Sequence, residues 1–173
     1  MSITIIKNIL LFIAMVLLQA VLFNHICLFN IAVPFVFITF IMRLPLSINI
    51  NLLIALSFFT GLSVDVFSDT QGMNALACTI LSVLRRPVLS LYFPREDDMV
   101  FPEPSLASIG MSAYLKYASS MSFVYCFLIF LIQAFTFFDP WLLILRIIGS
   151  TVITFCLIFG VECIIGTRNE KGL

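Results

Sequence analysis

A bundle of membrane-crossing α-helices is the fold class this sequence predicts, and three observations predict it. Hydrophobic residues make up 62% of the chain and charged ones 10%, against roughly half and a quarter in a soluble domain. The surplus apolar surface has no water-facing place to go. The apolar residues gather in six runs, about 3–23, 28–42, 52–67, 71–84, 118–138 and 141–165, the first and the last two of them at or above the ~20 residues that cross a ~30 Å hydrocarbon core. Finally, the basic residues separate by side. With the N-terminus inside the cell, Lys7, Arg43, Arg85, Arg86, Arg95, Lys116, Arg168 and Lys171 all lie on the cytoplasmic face, and Arg146 alone lies elsewhere. Loops that stay in the cytoplasm hold positive charge in this way, so a single domain over 1–173 with six spans and both termini in the cytoplasm is expected.

The first run has one lysine before it and no small-residue cleavage signature at its end, so it is expected as a retained helix. The second is shorter and holds Pro34, which fits a helix starting near the proline or a kinked one. The third ends in Thr60–Asn74, TGLSVDVFSDTQGMN, where Gly61 and Asp65 share a helix face because they stand four residues apart. The fourth covers only about 21 Å as a helix if Arg85-Arg86-Pro87 ends it. Residues 88–93 then lie along the interface, and a cytoplasmic loop over about 85–117 carries Pro94, Pro102 and Pro104 with a charge cluster. The sixth begins with an interfacial tryptophan, Trp141.

Charges inside apolar runs are costly and need an explanation. Asp65 and Arg146 both fall near the outer face, so an intramembrane ion pair joining the third and sixth segments is expected; the competing reading is that each reaches water by itself. Arg85, Arg86 and Arg95 fit contact with a cytoplasmic partner or anionic lipid, or simple topology anchoring. The small-residue stretches 113–122 and 149–154 fit close helix packing, inside the bundle or against a partner.

Around Gly61 the chain resembles the rod shape-determining protein MreD family. The matching features are Gly61 four residues before Asp65 at the end of an apolar run, a polar turn with Gly72, and the small-residue helix start at Asn74, Ala75 and Ala77. Six apolar segments, the overall length and the basic-proline end at Arg85, Arg86 and Pro87 agree with that family. The resemblance implies a bacterial inner-membrane component of the cell-elongation machinery, working with MreC, the actin-like MreB, the glycosyltransferase RodA and its class B penicillin-binding transpeptidase. It also implies a bundle similar to the substrate-binding subunits of energy-coupling-factor transporters. It transfers Gly61, Asp65 and Gly72 as motif positions and no catalytic residue.

The composition argues against other classes. Zero net charge and no basic patch interleaved with aromatics speak against nucleic acid as a partner. Five scattered cysteines without a CxxC pair, and His25 as the one histidine, offer no metal site or disulfide framework. Asp65 and Asp139 share the outer face, yet they lack the flanking residues an aspartyl signal peptidase needs, so no enzyme and no cofactor are expected. A small-molecule-binding or transport subunit is the alternative; its polar groups would be Gln19, Asp65, Gln133 and Arg146, few for a pocket.

Overall fold

The computed structural model describes residues 2–23, 33–92, 103–134 and 140–170. Its elements are α1 (Ser2–Leu18, continued by a π-helical turn, Gln19–Phe23), α2 (Ile38–Arg43), α3 (Ile50–Ser68), α4 (Met73–Tyr92), α5 (Leu106–Ile109), α6 (Met111–Ala134) and α7 (Pro140–Glu170). All regular structure among the described residues is helical. Four helices, α3, α4, α6 and α7, are long and apolar enough to cross a membrane. They pack in the order α3, α4, α6, α7, with α1 and α2 laid against them.

The second apolar run departs from expectation. Instead of a helix over 28–42, the described part is a non-helical stretch from Val33 into a six-residue helix; residues 28–32 lie outside the described residues. Phe12 of α1 meets Phe40 edge-on at 5.4 Å, while Gln19 meets residues 34 and 36, so the stretch runs back antiparallel to α1. Ser150, Thr154 and Glu162 meet residues 33, 35 and 43 in turn, so it runs parallel to α7.

Backbone polar groups at membrane depth must find partners in the protein when no helix supplies them, and here side chains do. The Val33 N–H donates to Ser150 Oγ at 3.0 Å and the Phe35 N–H to Thr154 Oγ1 at 3.1 Å. Gln19 closes the opposite side: its Nε2 donates to the Pro34 carbonyl at 2.9 Å and its Oε1 accepts from the Val36 N–H at 3.0 Å. Val36, Phe37, Ile38 and Ile41 are fully buried. The stretch 149–154, read from sequence as a close-packing surface, thus also supplies hydrogen-bond acceptors.

The loop expected over about 85–117 is shorter at both ends. α4 does not stop at Arg86 but continues through Pro87 to Tyr92. Proline removes one backbone bond and crowds the preceding turn, yet Leu89 beyond it is fully buried and the Tyr92 hydroxyl meets Ser120 Oγ of α6 at 2.8 Å. Docking on α6 outweighs the break, and a 20-residue helix of about 30 Å results. On the far side, Ser105 caps α5 in a reciprocal capping box with Ser108, and Gly110 at φ 81° turns the chain into α6 at Met111, not at residue 118. α6 ends at Ala134, the residues 135–138 lying outside the described ones, and α7 outruns the expected sixth segment at both ends.

Replacing Thr154 by Val orphans the Phe35 N–H and is expected to cost about 1–3 kcal/mol, seen as a lower melting temperature in detergent. Thr151→Val is the control, because that hydroxyl donates to the Ile147 carbonyl of its own helix and serves no N–H of the non-helical stretch, and it should change stability little.

Candidate functional site

The motif residues assemble at the turn between α3 and α4. Asp69 ends α3 in the left-handed conformation, φ 53°, a region aspartate tolerates better than most side chains. Gly72, at φ 75°, then directs the chain into α4. Gly72 stands where a capping side chain would normally serve the first turn of the helix, and glycine has none to offer.

Asp65 supplies that cap from the neighbouring helix. Its Oδ1 accepts from the Asn74 N–H at 3.1 Å and from Asn74 Nδ2 at 2.9 Å, and its Oδ2 accepts from the Ala75 N–H at 2.8 Å. The Thr70 hydroxyl donates to Oδ1 as well. The carboxylate, 3% exposed, therefore meets the positive end of the α4 dipole with charge-assisted hydrogen bonds, which offsets its desolvation. Asn74 extends the network: its Nδ2 also donates to Thr70 Oγ1 at 3.1 Å, and its Oδ1 accepts from the Tyr125 hydroxyl of α6 at 2.6 Å.

Gly61, one turn before Asp65, explains how α4 comes so near. A Cβ there would lie 2.5 Å from the Asn74 carbonyl oxygen and 2.6 Å from Ala75 Cα. These are backbone atoms that cannot swing aside, so only glycine lets the first turn of α4 reach the carboxylate. The three motif positions transferred by resemblance, Gly61, Asp65 and Gly72, form one joint.

The expected pair between Asp65 and Arg146 is not formed. Among the described residues the ion pairs are Arg43 with Glu103 at 3.9 Å and Arg43 with Glu162 at 3.6 Å, while Arg146 lies exposed on α7. Asp65 needs no distant cation because backbone N–H groups one residue apart already satisfy both its oxygens.

Arginines govern the other end of the bundle. Arg85, fully buried, donates through Nη2 to the carbonyls of Met42, at 3.2 Å, and Leu44. It thereby serves the C-terminal end of α2, where carbonyls lack intrahelical donors. Arg86 Nη2 donates to the carbonyls of Leu46 at 2.8 Å and Ile48 at 3.1 Å. The contact with a partner or lipid expected of this pair does not hold for Arg85, which is enclosed; Arg95 lies outside the described residues. Glu162 accepts the Leu106 N–H of α5 through Oε1 at 3.2 Å while facing Arg43. Tyr114 and Tyr117 of α6 are fully buried at this end.

Comparison of the chain with protein-family models, with functionally described proteins and with solved structures finds no match. Of the polar groups considered for a small-molecule site, three do not converge. Gln19 holds the 34–36 backbone, Asp65 caps α4 and Arg146 faces outward. The groove of about 460 Å³ between the end of α4 and the start of α6 is lined by other residues, Leu91, Tyr92, Met111 and Lys116 among them.

Sequence reasoning missed Glu162 and the tyrosines. A lone acid in an apolar run was the available signal for Glu162, the same signal that drew attention to Asp65. The tyrosines gave none, since an aromatic in an apolar run reads first as lipid-facing or core.

Gly61→Ala should force α3 and α4 apart and lower stability by about 1–3 kcal/mol. Gly72→Ala, whose Cβ meets nothing within 4 Å, should cost only the strain of a positive φ, about 1 kcal/mol; melting in detergent ranks the two. At the opposite end, Glu162→Ala leaves buried Arg43 with Glu103 as its one acidic partner among the described residues and should cost about 3 kcal/mol. The double change Arg43→Met with Glu162→Leu should cost less than that single change in the same assay.

Proposed function

We propose that this protein is a non-enzymatic scaffold of the bacterial cell-elongation machinery, an MreD-like component of the inner membrane that positions or regulates peptidoglycan synthesis through helix contacts with partner membrane proteins. MreC, RodA with its class B transpeptidase, and MreB are the partners this reading names. The observation that carries it is the Gly61–Asp65–Gly72 joint. The residues behind the resemblance act together to fix the relative placement of α3 and α4, and a motif spent on shape is what a scaffold requires.

The proposal includes the finer layout: six crossings, the second made by the partly non-helical stretch ending in α2, with both termini and the Arg43–Arg85 end in the cytoplasm. The side on which Lys and Arg gather supports that orientation. A bundle of the kind found in the substrate-binding subunits of energy-coupling-factor transporters belongs to the same reading, as architecture without the transport role.

Depleting the protein in its cell of origin should turn rods into spheres, and restoring the intact chain should recover rods. Asp65→Ala, with the amides of Asn74 and Ala75 left bare, should lower its amount in the membrane and fail to restore shape. Cells that keep their rod shape on depletion would refute the role.

A further inference from the structure

α7 has the highest mean hydropathy of the four long helices and is the least enclosed by its own chain. Across its outer side runs a seam with alternating spacings of three and four residues: Arg146, Gly149, Ile153, Cys156, Gly160 and Cys163. This is the spacing by which two helices mesh along a shared left-handed seam. Arg146, Cys156, Gly160 and Cys163 are exposed, and Gly149 and Ile153 are half-buried. From Arg146 to Cys163 the seam covers about 26 Å, most of a ~30 Å hydrocarbon core.

Two residues on the seam have no explanation inside the chain. Gly160 would meet nothing within 4 Å if it carried a Cβ, unlike Gly61, whose absent side chain the α3–α4 packing demands. A glycine inside a helix is less favourable than alanine, and the protein's own packing returns nothing for it. Arg146 forms no ion pair among the described residues, and it lies about 7.5 Å along the helix from Trp141, the exposed interfacial tryptophan. A small-residue seam lets a second backbone approach closely, and a cation at one end of it favours an anion at the same depth.

We propose that the α7 seam is the docking surface for a membrane-spanning helix of another protein, one carrying a carboxylate at the depth of Arg146. The proposal rests on the scaffold reading only for the premise that the protein meets other membrane helices. A second copy of this chain fits badly. Copies inserted the same way have parallel α7 helices, and a two-fold contact along the seam would set Arg146 against Arg146.

The test uses the purified full chain in phosphatidylcholine vesicles with synthetic Leu-rich single-span peptides. Each has Ala and Gly on one heptad face and Asp, Asn or Lys five residues inside one end. Energy transfer between labelled protein and peptide should show the Asp peptide binding about tenfold more tightly than the Lys peptide, equal to ~1.4 kcal/mol. Arg146→Glu should reverse that order, and Gly160→Leu should abolish binding of all three while the melting temperature stays unchanged. Equal binding of the three peptides, including none at all, would overturn the proposal, with Arg146 then meeting lipid phosphate alone; so would energy transfer between two copies of the chain that Gly160→Leu removes. Cell shape does not enter this readout, so the scaffold role and the docking surface stand or fall separately.

Discussion

One carboxylate decides how the first half of this bundle is built. A helix that begins at a glycine lacks a capping side chain, and its first N–H groups need an acceptor that neither lipid nor the local turn provides. Asp65 answers from the last turn of α3, and in doing so it fixes α4 at a distance set by the missing Cβ of Gly61. Because Asn74 carries the network on to Tyr125, α6 is registered against the same point. Three helices thus share one polar joint, and an acid that would be a liability in lipid becomes the reason the hairpin closes.

The opposite end applies the same logic with the signs reversed. Short α2 ends inside the protein, so its terminal carbonyls must be met there, and Arg85 and Arg86 reach across from α4 to meet them and the linker that follows. Arg43, at the end of α2 itself, is balanced by Glu162 and Glu103, and Glu162 in turn holds the first N–H of α5. Between the two ends, the non-helical stretch before α2 is tolerated because hydroxyls of α7 and the amide of Gln19 take the place of helical bonds. Helix termini and a broken segment, the expensive parts of a membrane protein, are where its few polar side chains are used. The outer side of α7, where Arg146 and Gly160 serve nothing internal, stands apart from this pattern.

Much of this was legible beforehand, and the parts that were not share a cause. The third apolar run, expected over about 52–67, and the shared helix of Gly61 and Asp65 followed from hydropathy and helical spacing, and α3 covers that run with a residue or two more at each end. The end of α4 was misplaced because Pro87 reads as a terminator, and the burial of Leu89 with the Tyr92 contact to α6 that overrides it is a property of the packed bundle. Asp65 was rightly singled out and wrongly partnered: counting charges suggested a cation, whereas the carboxylate meets backbone N–H groups that no count of side chains reveals.

What the sequence by itself determined is that this chain is a set of apolar helices, how its basic residues distribute, and which few charges demand a reason. Hydropathy and spacing are local and additive, so a linear reading captures them. Only the tertiary structure decided which donor answers which acceptor, that the second run passes through the protein partly unwound, and that Glu162 faces Arg43. Each of these depends on two segments far apart in the chain arriving at one place, and the depth and angle at which helices meet is set by side-chain volumes on both of them together.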